Sequence, residues 1–438
     1  MQHSVLDSRP PPTSRVELRR RSRRRRWLRR HPKSAIALLV FVALTPVWWS
    51  LGSTLASANT LPLPVAFVEW VRDNGGGGFV RWAENVWYTH NPPPRGGRPA
   101  KGAIPAPTSA PAASRPVAAS APAHLPAPSS IVPIASPPLP GEGQWHPVGR
   151  TVDGVPTMYE AFLRPDAIHT SLVAGVVWMD PALLRTTLYA GAQTPGVPGA
   201  WSPKAPISPS AATTLTAAFN AGFRMSASEG GFYLDGRAAV PLRQGGASLV
   251  IYANGAATVG AWGSQVTMTP NVVAVRQNLS LLVNNGAPVP GLNANDTTVW
   301  GATLGNQVYV WRSGIGVTAD GALVYVGGPG LNITSLANLL VRAGAVRGME
   351  LDINTDWVNF FSFQAAPGVA ATPANGSALL SDMVRPVSRY FGPTNRDFVT
   401  MSVRHAPLSP ASLGLVPATA TTPSTSSRSG AGSKRRAG

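Results

Sequence analysis

The chain has no cysteine among its 438 residues. That excludes disulfides, thiol nucleophiles and thiolate metal sites, and it fits a protein that folds outside the cytosol without oxidative help. Acid is scarce too, with 19 Asp and Glu against 37 Lys and Arg. The resulting net charge of +18 belongs to the ends of the chain. The run from Arg9 to Lys33 holds 12 basic residues, and Arg428, Lys434, Arg435 and Arg436 add four near the C-terminus. Between Gly143 and Pro407 there are 15 basic and 13 acidic residues, a difference of only 2. A nucleic-acid surface needs its basic residues clustered on a folded face, so no nucleic-acid partner is expected.

Charge is missing altogether from Ser34 to Val68. This stretch follows the arginines directly, which predicts one helix over residues 34–57 spanning a bilayer core of roughly 30 Å. Residues 1–33 would stay in the cytoplasm as a basic tail, and everything beyond would lie outside the cell membrane. Pro46 would kink the helix, and Trp48 and Trp49 suit the far interface. A cleaved export signal is the other reading, since Ala56-Ser57-Ala58 resembles a cleavage site and Arg24-Arg25-Arg26 a loose twin-arginine motif. Within residues 58–90, Phe67, Trp70 and Val71 share one helical face, as do Phe79, Trp82 and Val86. They predict two short amphipathic helices, lying either on the lipid surface or against the domain or a partner.

Residues 91–142 are rich in Pro, Ala and Ser and read as a semi-extended spacer. Residues 408–438 read as a disordered tail. The folded domain is then residues 143–407. Short β-type runs dominate it, among them Met158–Leu163, Ser171–Trp178, Ala247–Tyr252, Ala322–Val326 and Phe398–Ser402, separated by turn signals such as Ala253-Asn-Gly255. Helical patterns are few: Ser210–Ala218 and Leu331–Arg342, the latter ending at Gly344. The expected class is α+β, with a large, mostly antiparallel sheet, preceded by one transmembrane helix and a Pro-rich stalk.

Three segments carry chemistry. In Ala218-Phe-Asn-Ala-Gly-Phe-Arg224, Asn220 offers a donor and an acceptor, and Gly222 lets a ligand approach the backbone. In Val310-Trp-Arg-Ser-Gly-Ile-Gly316, Arg312 leaves a strand just before a glycine pair, where an arginine can clamp a phosphate. In Gly348-Met-Glu-Leu-Asp-Ile-Asn-Thr-Asp-Trp357, three carboxylates crowd into seven residues at a strand end. Glu350 and Asp352, two apart on a strand, should point to one face and could divide acid and base or nucleophile roles. A bland reading stands beside each of these. Asp352 could cap a turn, Arg312 could be its structural ion-pair partner, and Asn220 could cap a turn.

In this order the segments resemble the phosphodiester glycosidase family. Its pattern is an Asn-Ala-Gly-Phe-Phe-like motif, then Arg-Thr-Ala-Ile-Gly with a following Asp-Gly turn, then a helix, then Leu-Asp-Gly-Gly-Gly-Ser. Asn220-Ala-Gly-Phe223, Arg312-Ser-Gly-Ile-Gly316 with Asp320-Gly321, Leu331–Arg342 and Leu351-Asp352 match it in turn. After Leu-Asp the chain departs, with Ile353-Asn-Thr-Asp356 in place of the glycine turn. The resemblance implies hydrolysis of a glycosyl phosphodiester, with Asp352 catalytic. Our reading adds Glu350 and Arg312 to the catalytic set, and Asn220, Gly222, Phe223, Gly314, Asn354 and Asp356 to substrate binding. Arg312 and backbone amides near Gly314 and Gly222 would hold the phosphate, and sugar-phosphate polymers of the cell envelope are the expected substrates. The altered loop also admits a non-catalytic, glycan-binding or scaffolding protein that has kept the fold. Glu350, Asp352, Asn354 and Asp356 alternate as hard oxygen ligands and leave a divalent metal as a minor alternative, but the central glycine and terminal glutamate of a calcium loop are missing, so the expectation is no cofactor.

Overall fold

The computed structural model describes residues 32–57, 63–106, 123–196, 201–293, 299–301 and 308–409. Residues 1–31, Ala58 of the cleavage-like site and residues 410–438 lie outside these. The chain divides into two units, residues 1–77 and 78–438.

The described part of the first unit is helical. Helix α1, Pro32–Ser57, covers the expected membrane segment and carries Pro46 within it. Yet among the described residues no helix is long and apolar enough to cross a membrane. The described part of α1 mixes Thr45, Pro46, Ser50, Gly52 and Ser53 among its apolar residues. Thr45 and Ser53 turn their hydroxyls back onto the carbonyls of Phe41 and Ser50, each at 2.9 Å. The expectation of a spanning helix is therefore not met in the described part. Helix α2 is Leu63–Val71, followed by Gly75 at φ +88°; helix α3, Gly77–His90, begins at the boundary and lies in the second unit.

Beyond α3, the described residues of the second unit form three antiparallel sheets rather than the one large sheet expected. The first has eight strands: His146–Val152 (β1), Val155–Leu163 (β2), Ala174–Met179 (β3), Leu281–Asn284 (β11), Ala287–Pro288 (β12), Val310–Thr318 (β13), Leu323–Leu331 (β14) and Ala345–Ile353 (β15). They are ordered β1-β2-β3-β14-β13-β15-β11-β12. The second contains Leu184–Tyr189 (β4), Leu215–Asn220 (β5), Phe360–Phe363 (β16), Gly376–Ala378 (β17) and Phe398–Val403 (β18), ordered β17-β16-β5-β18-β4. The third contains Phe232–Leu234 (β6), Arg237–Val240 (β7), Ala247–Tyr252 (β8), Ala257–Ala261 (β9) and Val272–Gln277 (β10), ordered β7-β6-β10-β8-β9.

All three sheets feed one core. Ile315, Val317, Tyr325, Met349 and Leu351 of the first sheet pack with Phe219, Phe360, Val399 and Met401 of the second and Phe232, Leu249 and Ile251 of the third. The opposite face of the first sheet is covered by helix α5, Ile333–Arg342, through Leu336, Leu339 and Leu340. Asn332 and Ser335 close a capping box at its start. Gly314 and Gly348 lie beneath it: a Cβ at Gly314 would stand 3.2 Å from Leu340 Cδ1, and one at Gly348 3.1 Å from the same atom. These glycines serve the approach of a helix to a sheet.

Two other expectations differ. The pattern over Ser210–Ala218 yields only the single helical turn α4, Pro209–Ala212, before the chain enters β5. Hydrogen bonding on both edges, to β16 and β18, overrides the local helical spacing. Much of the spacer is folded onto the domain. Leu125, Ile131 and Ala135 are buried. Arg164 fixes the carbonyls of Ala135 and Pro137, and Leu125 N–H donates to Asp180 at 2.8 Å. A proline-rich segment needs no partner strand to dock, because side chains of the domain can satisfy its carbonyls one by one.

Candidate active site

Asp352 sits at the end of β15, where the first sheet meets the other two. Arg312 pairs with Ile353 and Gly314 with Glu350, so β15 spends one residue more than β13 across this interval. The extra residue is a β-bulge at Leu351–Asp352, a device that re-aims side chains beside functional sites. It breaks the alternation expected to align Glu350 and Asp352, and the two carboxylates have different partners.

Glu350 accepts a 2.5 Å hydrogen bond from Arg312 Nη1, and both side chains are sealed from solvent. Arg312 also donates to the carbonyls of Trp300 and Leu331 at 3.2 Å. Burial pushes the Glu350 carboxyl up to about 7 against the pull of Arg312, and Asp352 adds a smaller push. The second oxygen, Oε2, has no hydrogen-bond partner. Arg312 is thus held in an interior ion pair, away from the position of a phosphate clamp.

Asp352 is 5% exposed. Its Oδ2 accepts from Arg396 Nη2 at 2.7 Å and its Oδ1 from the Ile353 N–H at 2.9 Å. Burial raises this carboxyl to about 6; Arg396, the Ile353 amide and Arg276 lower it, and Asp397 raises it. Arg396 Nη2 also donates to Gly222 O at 2.9 Å. Behind it lies a second buried pair, in which Arg276 Nε donates to Asp397 Oδ2 at 2.6 Å. Asn278 ties the strand end to the glycine segment. Its amide nitrogen donates to the Glu350 and Leu351 carbonyls at 3.0 and 2.8 Å, and its oxygen accepts from Phe223 N–H at 3.1 Å.

Asn220 is a junction rather than an open ligand group. Its Nδ2 donates to Ser313 Oγ at 2.9 Å and to Ala221 O, while its Oδ1 accepts from Tyr325 Oη at 3.0 Å and from Asn359 N–H at 3.1 Å. Ser313 Oγ then donates to the Asp352 carbonyl at 2.9 Å. Gly222 presses against protein: a Cβ there would meet Asn278 Oδ1 at 3.1 Å and Arg276 Cζ at 3.2 Å. Phe223 is buried in the core beneath α5, and Gly314 faces Leu336 and Leu340. Of the expected substrate-binding residues, these four support the site from within.

The divergent loop keeps the turn that a glycine would make. Asn354 stands at φ +88°, a conformation that asparagine tolerates better than most residues. Its N–H donates to Trp311 O, and its side-chain oxygen caps the Asp356 N–H at 3.2 Å. The Asp356 carbonyl accepts from Arg385 Nε at 2.7 Å and Arg389 Nη1 at 3.0 Å. Trp357 follows, with the guanidinium carbons of Arg396, Arg385 and Arg389 at 4.8, 5.1 and 5.1 Å from its ring centroid. None of these three arginines was singled out in the sequence. The available signal was the i, i+4 spacing of Arg385 and Arg389 beside Tyr390. Among the described residues, no three His, Asp or Glu side chains come together as metal ligands.

The order of these pieces along the chain agrees with an independent comparison. Residues 213–352 match the phosphodiester glycosidase family. The matched glycosidase segment runs from just ahead of β5 to Asp352 itself, so Trp357, Arg385, Arg389 and Arg396 all lie beyond it. Solved structures with similar chains include the catalytic domain of zebrafish N-acetylglucosamine-1-phosphodiester alpha-N-acetylglucosaminidase, auto-inhibited by its pro-peptide. It is 12% identical, covers 59% of this chain and 86% of its own, and has a TM-score of 0.36. A hypothetical protein from Synechocystis is 13% identical over 53% of this chain and 59% of its own, with a TM-score of 0.27. A putative exported protein from Burkholderia pseudomallei is 15% identical over 53% and 74%, with a TM-score of 0.26. No curated protein matches the chain.

Proposed function

We propose that this glycosidase-family chain hydrolyses a glycosyl phosphodiester, with Asp352 acting at the anomeric carbon. The observation that carries the reading is the setting of Asp352. It is a carboxyl at a bulged strand end, raised to about 6 by burial and held by Arg396, on the last residue of the family match. A carboxyl so tuned can exchange a proton near neutral pH. The phosphate monoester that departs is a stable anion and needs little protonation. The ionised Asp352 therefore does the work, as the base that takes a proton from water while the water oxygen bonds to the anomeric carbon and the carbon–oxygen bond to phosphate breaks. Glu350 and Arg312 support the strand end from the interior.

Envelope sugar-phosphate polymers are the proposed substrates, met outside the cytoplasm. The arginine-rich segment ahead of the charge-free stretch from Ser34 to Val68 supports export, and the absence of cysteine is compatible with it. The test is release of free sugar from a panel of glycosyl phosphodiesters by the full chain. Asp352→Asn should lower the rate by about 10²- to 10⁴-fold, the usual contribution of a positioned acid or base. An unchanged rate in the variant would remove Asp352 from the chemistry.

One observation favours a second reading, a glycan-binding protein without turnover. Trp357, from the segment that follows the family match, lies over the arginine that holds Asp352, and both Trp357 and Asp352 are buried. In that case no diester in the panel is cleaved, and Asp352→Asn changes affinity alone.

A further inference from the structure

Three arginines surround the Trp357 ring, and the protein leaves part of each unused. Arg385 Nη1 and Nη2, Arg389 Nε and Arg396 Nε are buried and have no hydrogen-bond partner among the described residues. The residues that carry them are 2%, 3% and 5% exposed. A buried charged donor without an acceptor is costly, and native proteins keep few of them. Four such atoms around one indole are more than incidental packing explains. We propose that Arg385 and Arg389, beside Trp357, form a binding site for one phosphate group.

The geometry suits that ligand. One backbone oxygen, that of Asp356, takes Arg385 Nε and Arg389 Nη1, which fixes both guanidinium groups in place. The atoms left over on Arg385 are its two terminal nitrogens, the edge that meets two oxygens of a phosphate side by side. Charge points the same way. Arg389 presses on Arg385 and Arg396 on Arg389 as like charges, while Asp356 acts on Arg385 and both Asp352 and Asp356 act on Arg389 as opposite ones. Burial and then Arg389 press the Arg385 guanidinium down to about 9, the direction that an added anion would reverse.

The site also touches the carboxyl of the proposed chemistry. Arg396 spends Nη2 on Asp352 and Gly222, and its Nε is one of the unpartnered atoms. The role of this site in turnover rests on the proposed function; the binding of phosphate does not.

The experiment uses the full chain and two probes, inorganic phosphate and dimethyl phosphate, titrated at constant ionic strength against a chloride control. Trp357 fluorescence and the thermal midpoint are followed, and turnover of the diester panel is assayed in parallel. Both probes are expected to saturate, and phosphate to raise the midpoint. Arg385→Gln and Arg389→Gln should each weaken binding about 10- to 100-fold, as expected for loss of charge-assisted bonds to the anion. Arg385→Lys, which keeps the charge but not the fork, should fall in between and covers the case in which a glutamine variant does not fold. Asp352→Asn should bind phosphate at least as well as the wild type. Binding of dimethyl phosphate but not phosphate identifies a diester site, and the reverse a free-phosphate site; both support the proposal. It is overturned if neither probe shifts the wild type beyond chloride, or if the arginine variants bind like the wild type. Anion binding and turnover that both survive intact in Arg385→Gln would sink the site and spare the hydrolase. Anion binding lost in that variant, with no diester cleaved by the wild type, would sink the hydrolase and spare the site.

Discussion

Arg396 Nη2 stands 2.7 Å from Asp352 Oδ2 and also donates to the carbonyl of Gly222, so one guanidinium joins the family's last motif to its first. The contact sets the proton affinity of the proposed base. Burial drives the Asp352 carboxyl up and Arg396 holds it down, with a net value of about 6. If the ionised carboxylate is the working form, activity rises with pH through about 6.

Removing the arginine tests this. In Arg396→Gln the depressing charge is gone while burial remains, so the Asp352 carboxyl must rise further. The rising limb of kcat/KM against pH should move to higher pH by about one unit, a typical scale for losing a close opposite charge. A limb that stays near its wild-type position would mean that another group controls the rate. A limb that falls with pH would assign Asp352 the role of acid.

How much of this was legible in the sequence follows from the range of the interactions. Asp352, Arg312, Asn220 and Gly222 stand in local motifs, and the strand–helix–strand order around Leu331–Arg342 follows from hydrophobic spacing and a glycine stop. What could not be read was which of them face inward. Arg312 looked like a phosphate clamp because arginine beside glycine permits one, but Gly314 seats helix α5, and Arg312 is spent on Glu350. Arg385, Arg389 and Arg396 come from a 3-10 turn and loops well after the acidic segment. Their meeting at Trp357 depends on how β16 and β18 bracket β5. A bulge at Leu351–Asp352 likewise needs the register of β13, which single-strand alternation cannot supply.

The buried pair of Arg312 and Glu350 makes a stability prediction. Arg312→Met strips the charge from a sealed pair and leaves an uncompensated carboxyl, at a cost of about 3–5 kcal/mol. Replacing both, as Arg312→Met with Glu350→Leu, should recover a large part of that loss, because no buried charge is then left over. Urea unfolding of the two variants and of Glu350→Leu alone measures the coupling. If Arg312→Met unfolds like the wild type but loses turnover, the arginine belongs to the chemistry after all.

Glu350 should also leave a mark on the pH dependence of stability. Its carboxyl is raised from the ordinary 4.5 to about 7, chiefly by burial. The folded chain therefore holds this proton more tightly than the unfolded chain. Its contribution is fully present below about pH 4.5 and is lost as pH rises towards 7. Glu350→Gln cannot ionise, so it should gain on the wild type across that window. The difference in unfolding free energy between the two, measured at several pH values, should widen from pH 4.5 to 7 and then level off. A constant difference would place the Glu350 carboxyl near its ordinary value, held there by Arg312.

Asn220 supplies the last test, because it separates a junction from a ligand group. Four hydrogen bonds radiate from its side chain, reaching β13 through Ser313, β14 through Tyr325 and the approach to β16 through Asn359. Asn220→Ala would leave several buried groups without partners, each costing about 1–3 kcal/mol. The variant should therefore lose stability by several kcal/mol. Asn220→Asp keeps both acceptor bonds but loses the donation to Ser313, so it should weaken the link from Ser313 to the Asp352 carbonyl. Below its melting point that variant should show a lowered kcat with KM nearly unchanged, since the disturbance reaches the strand end and not the bound sugar. A raised KM at wild-type stability would instead make Asn220 a substrate contact, and would require the segment from Asn220 to Phe223 to open in solution.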